Sequence, residues 1–108
     1  MNREIKFRAW SKEDTQFTYF DLHSLTGIYH DIWDYIVEDS IQQYTGLKDK
    51  NGVDIYEGDI LKHRNGIGKV WYRNNVVSFV VDGDLGNYAI DRECEVIGNI
   101  YETPELLK

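Results

Sequence analysis

Carboxylates are the most abundant groups able to do chemistry in this chain of 108 residues. Asp49, Asp54, Glu57 and Asp59 fall within eleven positions, and Asp82, Asp84 and Asp91 follow downstream. Paired carboxylates can hold Mg²⁺ or Ca²⁺, or divide acid and base roles between them. A calcium loop needs oxygen ligands at alternate positions, a central glycine and a glutamate in twelfth place. Asp49-Lys50-Asn51-Gly52-Val53-Asp54 lacks that pattern and sets a lysine among the ligands. Asp and Asn beside Gly are what tight turns demand, so these acids read as turn formers and solvated strand-edge groups. A metal-dependent enzyme using Asp49, Asp54, Asp59 or Asp84 is the alternative.

The histidines are His23, His30 and His63, and Cys94 is the single cysteine. One cysteine excludes an intramolecular disulfide and a zinc site built on cysteines, leaving histidine and carboxylate as zinc ligands. His23 and His30 would share a helical face only if a helix began before His23, and no familiar ligand pattern completes them. All three histidines are expected in solvent or loops. Cys94 stands between Glu93 and Glu95, and adjacent negative charge raises a thiol pKa, which disfavours a nucleophilic thiolate. Alternation puts Cys94, Val96 and Gly98 on one face, as suits a buried packing cysteine. No Gly-x-Ser-x-Gly elbow occurs, and Gly66-Ile67-Gly68-Lys69 lacks the spacing and the Ser/Thr of a phosphate loop. No catalytic, cofactor-binding or metal-ligating residue is assigned, and no cofactor is expected.

Lys62, His63, Arg64, Lys69, Trp71, Tyr72 and Arg73 mix cations with aromatic rings, a combination that can track a single nucleic-acid strand by stacking. The competing arrangement packs Trp71 inside while Tyr72 and Arg73 cover the edge. With 12 Lys+Arg against 19 Asp+Glu, the net charge of −7 opposes binding to a polyanion. Nucleic acid is therefore not the expected partner, beyond weak single-strand binding.

These residues need elements to position them. Residues 5–10 alternate apolar and charged side chains as a half-buried strand does, and residues 16–22 resume strand character after a polar turn. A hairpin results. Residues 27–39, from Gly27 to Asp39, space Ile28, Ile32 and Ile36 by four, which favours one short helix over a third strand. Residues 40–47 form a strand that enters a tight turn at Lys50-Asn51-Gly52. Further strands follow at 53–56, 60–63, 68–73, 76–82, 88–90 and 95–101. Their turns are Asn65-Gly66, Asn74-Asn75 and the stretch from Asp82 to Asn87. Thr103 and Pro104 suit the cap and first position of a final helical turn. Short strands punctuated this often predict a mainly β fold: an N-terminal hairpin plus a small SH3-like barrel or roll, with one short helix. The reading is one domain over residues 1–108, with possible layers at 1–45 and 46–108. No window reaches the roughly 18 apolar residues of a membrane span, and the first residues carry no apolar signal core. A cytoplasmic protein is the expectation.

Several stretches resemble the YopX family of small phage and prophage proteins. They are residues 5–10 (Ile-Lys-Phe-Arg-Ala-Trp), residues 43–52 (Gln-Tyr-Thr-Gly-Leu-Lys-Asp-Lys-Asn-Gly), residues 55–60 (Ile-Tyr-Glu-Gly-Asp-Ile), and residues 95–102 with Pro104, Glu105 and Leu106. They span the chain in the family's order. Ser11 departs from the family's usual Asp, and Gln42 stands where Met is frequent. The resemblance implies a phage-borne protein of a bacterial host cell with no known enzymatic activity and no catalytic residues to carry over. It also implies self-association, so the expected partners are a second copy and an unidentified phage or host protein. Fifteen aromatics exceed what a small barrel interior holds, so some of Trp10, Phe20, Tyr29, Trp33, Tyr35 and Tyr44 are expected at an exposed interface, with residues 27–39 as the contact element. Gly46, Gly52, Gly58 and Gly98 are expected to serve backbone geometry.

Overall fold

The computed structural model describes residues 4–11, 13–21, 40–64, 66–83 and 86–107. The chain divides into two compact units, Met1–Tyr44 and Thr45–Lys108. The expected helix at 27–39 lies outside the described residues.

In the first unit, strands β1 (Lys6–Ser11) and β2 (Gln16–Asp21) pair antiparallel, from Lys6↔Asp21 to Ser11↔Gln16. The other flank of β1 pairs with the opening of β3 (Gln42–Lys48), Phe7 with Gln43 and Arg8 with Gln42. The alternation of β1 thus predicts the strand, but its charged positions are not all in water. Arg8 is only 4% exposed. Its Nε donates to Gln42 Oε1 at 2.8 Å and its guanidinium lies 4.0 Å from the Phe17 ring centre. A flat, weakly hydrated cation tolerates burial when an acceptor and an aromatic face meet it. Lys6 likewise sits 4.6 Å from the ring centre of Tyr44.

In the second unit, β3 turns into β4 (Asp54–Tyr56) through residues 49–53. Gly52 has φ +82°, the left-handed conformation for which the Asn-Gly pair is suited. A five-stranded antiparallel sheet follows: β5 (Asp59–His63), β6 (Gly66–Arg73), β7 (Ser78–Gly83), β8 (Gly86–Ala89) and β9 (Glu95–Asn99). Its order, β8-β7-β6-β5-β9, curls as a half-barrel. Ile55, Leu61, Val70, Val81 and Cys94 are wholly buried at its centre, with Phe79, Tyr88, Ile90 and Val96 packed against them. The fold is mainly β, as predicted, and the only helical element among the described residues is a 3₁₀ turn at Pro104–Leu107.

Three local expectations are corrected. Gly66 is not part of the turn between β5 and β6, because it pairs with His63 and already begins β6. The β6–β7 turn is not Asn74-Asn75. Arg73 pairs with Ser78, so residues 74–77 form the loop and Val76 leaves the strand. Val77 takes φ +51°, and the amides of Val76 and Val77 donate to the carbonyls of Arg73 and Asn74 at 3.3 Å. Thr103 and Pro104 take the expected cap and first positions of the last turn, the Thr103 carbonyl accepting from Leu106 N–H at 3.1 Å, but the Thr103 side chain does not cap it. Its hydroxyl bonds the backbone of Asn99 instead, accepting from N at 3.1 Å and donating to O at 3.2 Å. That fold-back explains Gly98, where a Cβ would lie 1.9 Å from Thr103 Oγ1.

Candidate functional site

Two places in the second unit gather chemistry or exposed apolar surface. The first is the junction of β5 and β9. Pairing of Leu61 with Val96 and Lys62 with Glu95 carries His63, at the end of β5, to the level of Cys94. Asp91 enters from the turn before β9, where its Oδ1 accepts the backbone N–H of Glu93 at 2.8 Å. Its Oδ2 lies 2.9 Å from His63 Nε2, and its Oδ1 accepts from the Cys94 thiol at 3.7 Å. The His63–Asp91 contact is close but poorly aligned for a hydrogen bond. Glu93 Oε2 stands 4.0 Å from the same ring nitrogen and 3.8 Å from Arg64 Nη1. The Tyr88 ring packs 5.5 Å from that of His63.

Electrostatics set the protonation of this group. The Glu93 N–H, with help from His63, holds the Asp91 carboxyl below the ordinary carboxylate range, against the effect of burial. Burial pushes the Cys94 thiol up, and the Asp91 charge adds to that. Burial also raises Tyr88, reinforced by the neighbouring Cys94 and Asp91. A protonated, inaccessible thiol is no nucleophile, and Cys94 is buried as its alternation with Val96 suggests. The reading of His63 does not hold. It is 7% exposed, because its strand position faces the core side of the sheet beside Tyr88 and Cys94. His23 and His30 lie outside the described residues.

The acids at 49–59 stay apart from this group. Asp49 Oδ1 accepts the N–H groups of Asn51 and Val53 at 2.8 and 2.9 Å, and its Oδ2 accepts that of Val96 at 2.9 Å. Burial alone would raise its pKa, but these three donors bring it below the ordinary value. Asp59 Oδ2 accepts the Tyr56 N–H at 2.8 Å, and Asp54 pairs with Lys48. Both Asp49 and Asp59 hold turns, as expected, but they are buried and not solvated, because backbone N–H groups occupy their carboxylates. Asp84 lies outside the described residues. Among those described, the one cluster of three or more potential metal-ligating side chains is His63, Asp91 and Cys94.

The second place is the β6–β7 hairpin. Trp71 and Tyr72 are 42% and 40% exposed, and Val76 and Val77 at its tip are 55% and 76% exposed. Trp71 is therefore not packed inside. Lys69 Nζ lies 4.8 Å from its ring centre, on the strand face that also carries Arg73. On that face, with the Asn87 amide oriented by its neighbours, its nitrogen donates to Asp82 Oδ1 at 3.0 Å and its oxygen accepts from Arg73 Nη1 at 3.1 Å. A groove of about 370 Å³ opens there, lined by Arg73, Asn75, Val76, Val80, Asn87 and Ala89, among others. Of the aromatics expected at an interface, Tyr44 is buried, covered in part by Lys6, and Trp10 and Phe20 are half-buried. Tyr29, Trp33 and Tyr35 fall outside the described residues, as does the contact element at 27–39.

Residues 6–108 match the family described as YopX protein. No curated protein matches the chain. Among solved structures, the crystal structure of protein EF1440 from Enterococcus faecalis is similar at 24% sequence identity and a TM-score of 0.65. The match covers 99% of this chain and 100% of that one. At that identity the likeness speaks to fold alone.

Proposed function

The chain belongs to the YopX family, and from that premise we propose that it is a phage- or prophage-encoded, non-enzymatic module for protein binding or assembly in the cytoplasm of a bacterial host. The observation that carries this reading is the exposed apolar tip of the β6–β7 hairpin, where Val76 and Val77 stand 55% and 76% exposed. A β-branched residue held at φ +51° and in water gains nothing for the monomer. Exposed apolar groups clustered in this way are what an interface uses. The partner we assign is a second copy of the chain, with a further phage or host protein as its eventual target. The carboxylates at 49, 54 and 59 each hold a backbone amide or a lysine, which favours a structural role for them over the enzymatic alternative.

Light scattering over a range of concentrations tests the proposal. The expected result is a mass above the 12.7 kDa of one chain that rises with concentration and returns to one chain when Val76 and Val77 are both changed to Asp. A wild-type mass of one chain throughout would defeat self-association. A second reading, single-strand binding, draws on Lys69 stacked against exposed Trp71.

A further inference from the structure

We propose that His63, Asp91 and Cys94, joined by Glu93, form a site for a zinc-class divalent cation at the β5–β9 junction. The candidate ligand atoms of the first three residues all lie within 4.8 Å of one another. A tetrahedral ion with bonds of about 2.0–2.3 Å sets its ligand atoms roughly 3.3–3.8 Å apart. Asp91 Oδ1, 3.7 Å from Cys94 Sγ, already suits that spacing, while it is the other oxygen, Oδ2, that faces His63. Asp91 Oδ2 lies 2.9 Å from His63 Nε2, so the carboxylate must turn to offer both partners a single oxygen. Glu93 stands outside this group of three, with Oε2 4.0 Å from His63 Nε2, and would join it by turning its side chain inward. The movement required falls on exposed carboxylates, whose side chains are 47% and 67% accessible.

The donor set selects the metal. One imidazole, one thiolate and carboxylate oxygens form a borderline-soft shell, which favours zinc over the hard cations magnesium and calcium. Four protein ligands with no open position describe a structural site, so the proposal adds no catalytic step. The shell is held from outside as well. The Glu93 N–H fixes Asp91 Oδ1, and the Lys50 N–H donates to the carbonyl of Cys94 at 3.0 Å. On binding, the Cys94 S–H loses its proton to the buffer and the sulfur becomes a thiolate ligand. The inference is independent of self-association and of the β6–β7 hairpin.

Cobalt(II), a spectroscopic substitute for zinc, provides the test on the full chain stripped with chelator and kept reduced. The expected result is one equivalent bound, a sulfur-to-cobalt charge-transfer band in the near ultraviolet, and loss of that band when zinc is added. Zinc should also raise the Tm. Cys94→Ser should abolish the band. Should that variant fail to fold, Asp91→Asn, on an exposed turn, should weaken cobalt binding by at least about tenfold, the loss that disturbed outer-shell partners alone can cause. No charge-transfer band at several-fold excess of cobalt would overturn the site, as would unchanged cobalt affinity in Asp91→Asn.

Discussion

Asp49 ties its own turn to β9 within the second unit. Its carboxylate accepts three backbone N–H groups, two from its own turn and one from Val96 on β9. Hydrogen bonds to a charged acceptor contribute about 1.5–3 kcal/mol each, and their loss leaves buried donors unmet. Asp49→Ala should therefore destabilise the chain by about 3 kcal/mol or more in urea denaturation, and Asp49→Asn by less, since the amide oxygen still accepts. The pH dependence follows from the direction of the shift. A carboxyl whose folded pKa lies below its ordinary value of 3.8 contributes stability that is present above that value. That contribution is lost as pH falls through the lower, folded value. The wild-type chain should thus lose stability in acid more steeply than Asp49→Asn, and parallel acid limbs would refute this role. The sequence discloses half of it. Asp49 beside Asn51-Gly52 reads as a turn former, but nothing local tells that its second oxygen will meet Val96, 47 positions away. The His63–Asp91–Cys94 group is hidden for the same reason, since only the β5–β9 register brings its members together.

Among the elements, those whose turn chemistry is local were legible, and those whose register is set by packing were not. The Asn51-Gly52 turn and the first hairpin follow from their residues, whereas Asn74-Asn75 suggests a two-residue β6–β7 turn that the chain does not use. Such a turn needs positive φ at both central residues. The longer loop keeps Val70 opposite Val81, both wholly buried, and Tyr72 opposite Phe79, whose rings meet edge-on at 5.2 Å. Core pairing therefore wins over the short turn, and the strain passes to Val77. Left-handed backbone costs a β-branched residue of the order of 1 kcal/mol, while Asn adopts it readily. Val77→Asn should stabilise the fold by about 0.5–1 kcal/mol and at the same time weaken self-association. A variant less stable than wild type would show that the loop places no strain on Val77. A more stable variant with unchanged association would move the contact away from the hairpin tip.

At the scale of the whole molecule, the net charge of −7 separates the two partner classes by the sign of their salt dependence. Two copies meeting through an apolar hairpin bring like charges together, and their repulsion opposes the contact. Raising the ionic strength from about 0.01 M to about 0.15 M shortens the screening length from about 30 Å to about 8 Å. Repulsion across the interface then fades while burial of Val76 and Val77 is unaffected. Association should tighten with salt over this range, read as a larger weight-average mass at fixed concentration. A single nucleic-acid strand on Lys69, Trp71 and Arg73 would respond the other way, because each phosphate neutralised releases a counterion and added salt drives the complex apart. The chain's own acids act against such a complex at every salt concentration, beginning with Asp82, which pairs across the strand with Lys69. Anisotropy with a labelled oligonucleotide should accordingly find no submicromolar binding at physiological salt. Binding that weakens as salt rises, and is lost when Trp71 and Arg73 are both changed to Ala, would replace the assembly reading with a nucleic-acid one. Self-association that weakens with salt would instead assign the interface to charged groups and away from the valines.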